Sequence, residues 1–136
     1  MLALRHASRW QAASLFILAV VLVAALMPAF WYWDDKTKAL LWFKNIDKAL
    51  HVGTFLVLSL WFSGLYRKSS YWKIAAGLLA FGLMIEVCQR AVGYRSAEWM
   101  DLVADATGIL LGLMIALAGV GGWCLRVEGL LSKHET

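Results

Sequence analysis

The chain has 136 residues, of which 62% are hydrophobic and only 16% charged, with a mean hydropathy of +0.68. An ordinary soluble domain is roughly 45–50% apolar and about 25% charged, so this composition excludes one and specifies a small integral membrane protein. The net charge of +4 does not indicate nucleic acid; basic residues in such a chain serve as topology signals and headgroup contacts.

Arg5, His6 and Arg9 precede Trp10, and an apolar run continues to Phe30. About 20 apolar residues suffice to span a bilayer, and no small-residue cleavage site follows. The pattern predicts an uncleaved first transmembrane helix over residues 10–30, ending near Pro28, with Trp31, Tyr32 and Trp33 as an interfacial belt. Asp34 to Asn45 reads as a charged turn. Within it, the patch Ala39 to Phe43 is too short to cross and reads as half-immersed in the interface.

A second span is predicted over residues 46–66, with Asp47, Lys48 and His51 in its first turns. Arg67, Lys68 and Lys73 bracket a short loop before the third span, 71–91, which is apolar until Glu86. A loop from Gly93 to Leu102 leads to the fourth span, 102–123, and a polar tail follows. The sequence therefore predicts an all-α, polytopic fold: one domain, four transmembrane helices in a small bundle. The basic cluster in the short loop between spans two and three places both termini in the cytoplasm. Cys88 and Cys124 lack CxxC spacing and read as small packing residues.

An even zigzag places the start of span two, the end of span three and the start of span four on one membrane face. Asp47 and His51 are four residues apart, as are Glu86 and Arg90, and Asp101 and Asp105. Each pair shares a helix face. Polar groups at bilayer depth are expensive and need a partner or a task. Ala104, Gly108, Gly112 and Ala116 recur every fourth residue, a stripe that permits close helix approach.

Asp47-Lys48-Ala49-Leu50-His51, then Glu86-x-x-Gln89, then Arg95-Ser96 with Asp101, Asp105, Gly108 and Gly112 resembles the VanZ-like family of bacterial membrane proteins over about residues 46–117. One departure is clear: where the family usually has Asn in D-x-x-x-N-x-x-G, this chain has Asp105. The family takes its name from a protein associated with low-level resistance to teicoplanin, a glycopeptide that binds cell-wall precursors outside the membrane. The resemblance thus implies an envelope role in the bacterial cytoplasmic membrane.

Three functions compete. The first is an outward-facing site that binds or modifies a lipid-linked, cell-wall-related molecule. In it His51 is general acid or base, Glu86 or Asp101 orients or activates, and Lys48 with Arg95 holds an anionic group. Asp47, Gln89, Arg90, Ser96 and Asp105 complete the binding set, and Gly108 and Gly112 serve helix packing. The second is a proton-coupled carrier, and the third a structural assembly partner whose ion pairs lock the bundle. The sequence names no cofactor and no oligomeric state, and membrane lipid is the only certain partner. No metal site is assigned. His51, Glu86, Asp101 and Asp105 suit Zn²⁺ or Mn²⁺, but Lys48, Arg90 and Arg95 would compete for the acids.

Overall fold

A computed structural model describes residues 1–27, 36–92 and 98–133, with side chains of 36–45, Val92, Ser132 and Lys133 left aside. The elements are α1 (Ala7–Leu26), α2 (Lys36–Leu65), a 3₁₀ turn (Lys68–Ser70), α3 (Tyr71–Val92), α4 (Trp99–Ile115), a π turn (Ala116–Val120) and α5 (Trp123–Lys133). No strand occurs among the described residues. Four helical stretches are long and apolar enough to cross a membrane: Ala7–Leu26, Ile46–Leu65, Lys68–Ala91 and Trp99–Val120.

Several boundaries differ from those read off the sequence. The first helix ends two residues before Pro28: Met27 is extended (φ −69°, ψ 135°), as the clash with a following proline ring requires. The aromatic belt Trp31–Trp33 lies outside the described residues. The turn expected over Asp34 to Asn45 is helical from Lys36 onward. Residues 36–45 contain neither Gly nor Pro, so charge alone does not stop the helix. With 30 residues, α2 is about 45 Å long, more than the roughly 30 Å hydrocarbon core needs. The fourth span starts three residues early, at Trp99, and stops at Val120. There Gly119 (φ 133°) and Gly122 (φ 73°) adopt backbone that other residues resist, and the chain turns. The expected polar tail is instead an 11-residue helix, α5.

α2 and α4 form the central pair. The small-residue stripe of α4 lies against α2: Ala104, Gly108, Gly112 and Ala116 are all buried. A Cβ added at Gly108 would overlap the Val52 carbonyl oxygen, and one at Gly112 would overlap Ser59 Oγ. Around this seam the core gathers Phe55, Leu58, Tyr71, Ile74, Leu78, Ile85, Ile109 and Leu113. The outer surface stays apolar: Phe16, Val57, Val87, Leu110 and Met114 are all more than half exposed, as lipid-facing side chains should be. α1 is the most peripheral helix, with Ser14 its one buried residue.

The two ends of the bundle differ in chemistry. At one end Trp10, Trp61 and Trp123 pack together in tilted and edge-to-face contacts, with ring centroids 5.5–5.7 Å apart. Each indole N–H has an acceptor: Trp10 donates to Glu128 (2.9 Å), Trp61 to Ser14 Oγ (2.9 Å), and Trp123 to the Leu60 carbonyl (3.1 Å). Such partners let tryptophan be buried at low cost. The last carbonyls of α2 are capped here too, Leu65 by the Leu2 N–H (2.8 Å) and Ser63 by the Gly122 N–H (3.0 Å). Cys124 is fully buried beside this cluster, and burial, with help from the Glu128 charge, pushes its thiol up to about 11.

Glu128 of α5 clamps the N-terminal segment. Its carboxylate accepts the backbone N–H of Arg5 (2.7 Å), that of His6 (2.9 Å) and the Trp10 indole N–H. Desolvation acts to raise its pKa, but the two backbone donors and the indole outweigh it and hold the carboxyl below its usual range. A depressed folded value means the clamp contributes fully above the ordinary carboxylate pKa and is lost as pH falls through the lower, folded one. Protection of the Arg5 and His6 amides, taken against their intrinsic exchange rates, should therefore fall as acid titrates this carboxyl, and be lost at neutral pH in Glu128→Ala. Unchanged exchange in that variant would show the clamp to be inert.

Candidate functional site

The other end of the bundle is polar. The first turns of the α2 span, the last turns of α3 and the first turns of α4 meet there, as the zigzag requires. Buried among them are His51, Glu86, Gln89, Asp101 and Asp105, each 9% exposed or less.

His51 and Asp105 form the innermost pair. Asp105 Oδ1 lies 2.8 Å from His51 Nδ1, and both side chains are shielded from solvent. A carboxylate accepts, so Nδ1 carries the shared proton and the other ring nitrogen, Nε2, is left for chemistry. Asp105 Oδ2 has no hydrogen-bond partner among the described residues. It presses instead on Gly82 of α3, where any added Cβ would overlap it. Gly82 thus makes room for a charged group at the centre of three helices.

Lys48 forms the second layer. Its Nζ donates to Glu98 Oε2 at 2.9 Å and reaches Asp101 Oδ1 at 3.5 Å. Glu98 occupies the N-cap position of α4 in extended conformation, but its carboxylate serves Lys48 and makes no cap hydrogen bond. Asp101, in the first turn of α4, sits where the positive helix end favours an anion. Asp47, one turn before His51, completes the layer. A ring nitrogen of His51 and one oxygen each of Asp47 and Asp101 all lie within 4.8 Å of one another.

α3 contributes a neighbouring cleft of about 90 Å³ between itself and α4, lined by Glu86, Arg90, Glu98 and Trp99 among others. Its rim includes Val87 and Trp99, 59% and 76% exposed on the lipid-facing surface. The cleft is open on one side and small against a whole lipid, the size of a headgroup.

The polar residues thus divide into groups. Asp47, Lys48, His51, Asp101 and Asp105 come together, and Glu86 and Arg90 flank them along the cleft. Gln89 does something else: its Nε2 donates to the Ala25 carbonyl at 3.0 Å and ties α3 to the end of α1. Arg95 and Ser96 lie outside the described residues. Two residues escaped the sequence reading. Glu98 looked like loop, and only its charge beside the Asp101 turn hinted at a partner. Gly82 gave no signal.

Residues 2–120 match the family model VanZ/LLP1, which extends the likeness through the first helix. The chain belongs to the VanZ/LLP1 family. No curated protein and no solved structure matches it. Membership and the four apolar helices make it a multi-pass membrane protein. In this VanZ/LLP1 chain Asp105 is buried and holds His51.

Proposed function

We propose that this VanZ/LLP1 protein binds or modifies a lipid-linked, cell-wall-related molecule at the outer face of the bacterial cytoplasmic membrane. The observation that carries the reading is the His51–Asp105 pair, buried inside a lipid-facing bundle and surrounded by ionisable groups from three helices. Ionisable side chains at such depth are retained for function far more often than for stability, because burying them costs more than an apolar core would. Asp105 fixes the imidazole so that Nε2 exchanges a proton with the bound molecule, the ordinary device of acid–base catalysis. Lys48, with Arg95 from the adjoining segment, supplies positive charge for an anionic headgroup. The α3–α4 cleft lets such a headgroup enter from the bilayer while its tail stays in lipid.

A carrier requires a polar path through both leaflets, whereas the opposite end of this bundle is a tryptophan cluster. A purely structural role predicts that every charge variant loses folded protein. His51→Gln, Glu86→Gln and Asp101→Asn keep shape and remove charge or titration. Each is expected to melt near wild type in detergent yet fail to restore the envelope phenotype of a deletion strain, with at least about a tenfold loss where a dose is measured. Full complementation by all three, at equal protein level, would end this reading. Unfolding of all three would transfer the cluster to the structural role.

A further inference from the structure

We infer that Asp47, His51 and Asp101 form a divalent transition-metal site, with Zn²⁺ the best-suited occupant. The inference rests on reading the cluster as a ligand pocket and changes one role within it: with a metal on its free ring nitrogen, His51 would be a ligand and not the acid or base. Three donors, one nitrogen and two carboxylate oxygens, already lie within 4.8 Å of one another, two of them on residues less than a tenth exposed. Zn²⁺ needs its ligands at about 2.0–2.2 Å, hence about 3.3 Å apart in a tetrahedron, which small side-chain rotations supply.

The arrangement around His51 is what separates this group from a chance cluster of acids. A metal-bound imidazole characteristically gives its second N–H to a carboxylate, which fixes tautomer and ring orientation. Asp105 does this for Nδ1 at 2.8 Å, from a position with no solvent exposure. Its other oxygen has no hydrogen-bond partner among the described residues and lies against Gly82.

Charge points the same way. Asp47 and Asp101 converge at the lip of a lipid-embedded bundle, where two like charges so close are costly. A divalent ion would offset the charge of the two carboxylates it joins. The Lys48 ammonium does not fill this role, since its short contact is with Glu98 and it reaches Asp101 only at 3.5 Å. Lys48 instead tunes the site by competing for Asp101. Three protein ligands leave a fourth position open, where a water or a phosphate oxygen would be polarised.

The test uses the full chain in detergent, stripped with EDTA and titrated with Zn²⁺. One equivalent per chain is expected, with zinc-edge absorption showing one imidazole nitrogen, otherwise oxygen, and no sulphur. Asp47→Asn, Asp101→Asn and His51→Gln should each weaken binding at least about 100-fold, and Asp105→Asn about 10- to 100-fold. Lys48→Met should tighten it, and His6→Ala should leave it unchanged. The Lys48 variant and the wild-type spectrum hold the test open even where a ligand variant misfolds. No stoichiometric Zn²⁺ on the wild type, sulphur in its shell, or equal affinity in the ligand variants would overturn the site. Zinc binding without an envelope phenotype for these variants would instead defeat only the proposed function.

Discussion

Gly108→Leu is expected to lower the stability of the protein in detergent by about 3 kcal/mol or more, enough to unfold much of a marginal bundle. The added Cβ would overlap the Val52 carbonyl oxygen and lie 3.0 Å from the Leu56 nitrogen, both on α2. These are backbone atoms and cannot rotate away, so the helices must separate. Membrane helices gain little from apolar burial, since lipid is as apolar as the core, and associate through close packing. Losing the closest approach therefore removes the main attraction between the central pair. The effect reaches the polar end as well: Val52 adjoins His51, and Gly108 lies one turn from Asp105. Gly77→Ala is the control, because nothing lies within 4 Å of a Cβ there. It should change stability by no more than about 1 kcal/mol, toward greater stability. A thermal or SDS melt checks both. A wild-type curve for Gly108→Leu would mean that α2 and α4 do not meet at this point.

What the sequence disclosed follows a simple division. Apolar run length, which depends only on local composition, located four spanning helices. Four-residue spacing located the faces of Asp47, His51, Asp101 and Asp105, and alternation of direction brought those faces together. Partner choice was not local. Glu128 holds Arg5 and His6 across more than 120 residues, and no periodicity encodes that. Gln89 looked like part of a site because it is polar at depth, yet it satisfies a carbonyl near the end of α1. Lys48 chose Glu98 because α4 begins three residues sooner than its apolar run, a shift that turns a loop acid into a positioned one. α5 is only 11 residues, shorter than any spanning threshold, and a run of charges disguised it as a tail. For Glu98 and α5 the signal that failed was a boundary; for Glu128 and Gln89 it was a partner distant in sequence.

Asp105→Ala is expected to be the most damaging single change at the polar end, costing about 3–5 kcal/mol. It removes the acceptor 2.8 Å from His51 Nδ1 and leaves a ring N–H buried where water cannot replace the lost partner. Asp105→Asn should behave quite differently. An amide oxygen at the same place still accepts the Nδ1 proton, so the imidazole keeps its tautomer and the loss should be about 1 kcal/mol. Melting curves, with the ¹⁵N shifts of the His51 ring as a tautomer readout, separate the two. What aspartate and asparagine both supply is a hydrogen-bond acceptor for His51; what only aspartate supplies is a negative charge behind the ring. If Asp105→Asn destabilised the protein as much as Asp105→Ala, the bond would matter chiefly as an ion pair. A stable Asp105→Asn with an unaltered ring tautomer would instead make Asp105 a positioning residue that acts through its hydrogen bond to His51, leaving Asp47 and Asp101 to face the ligand.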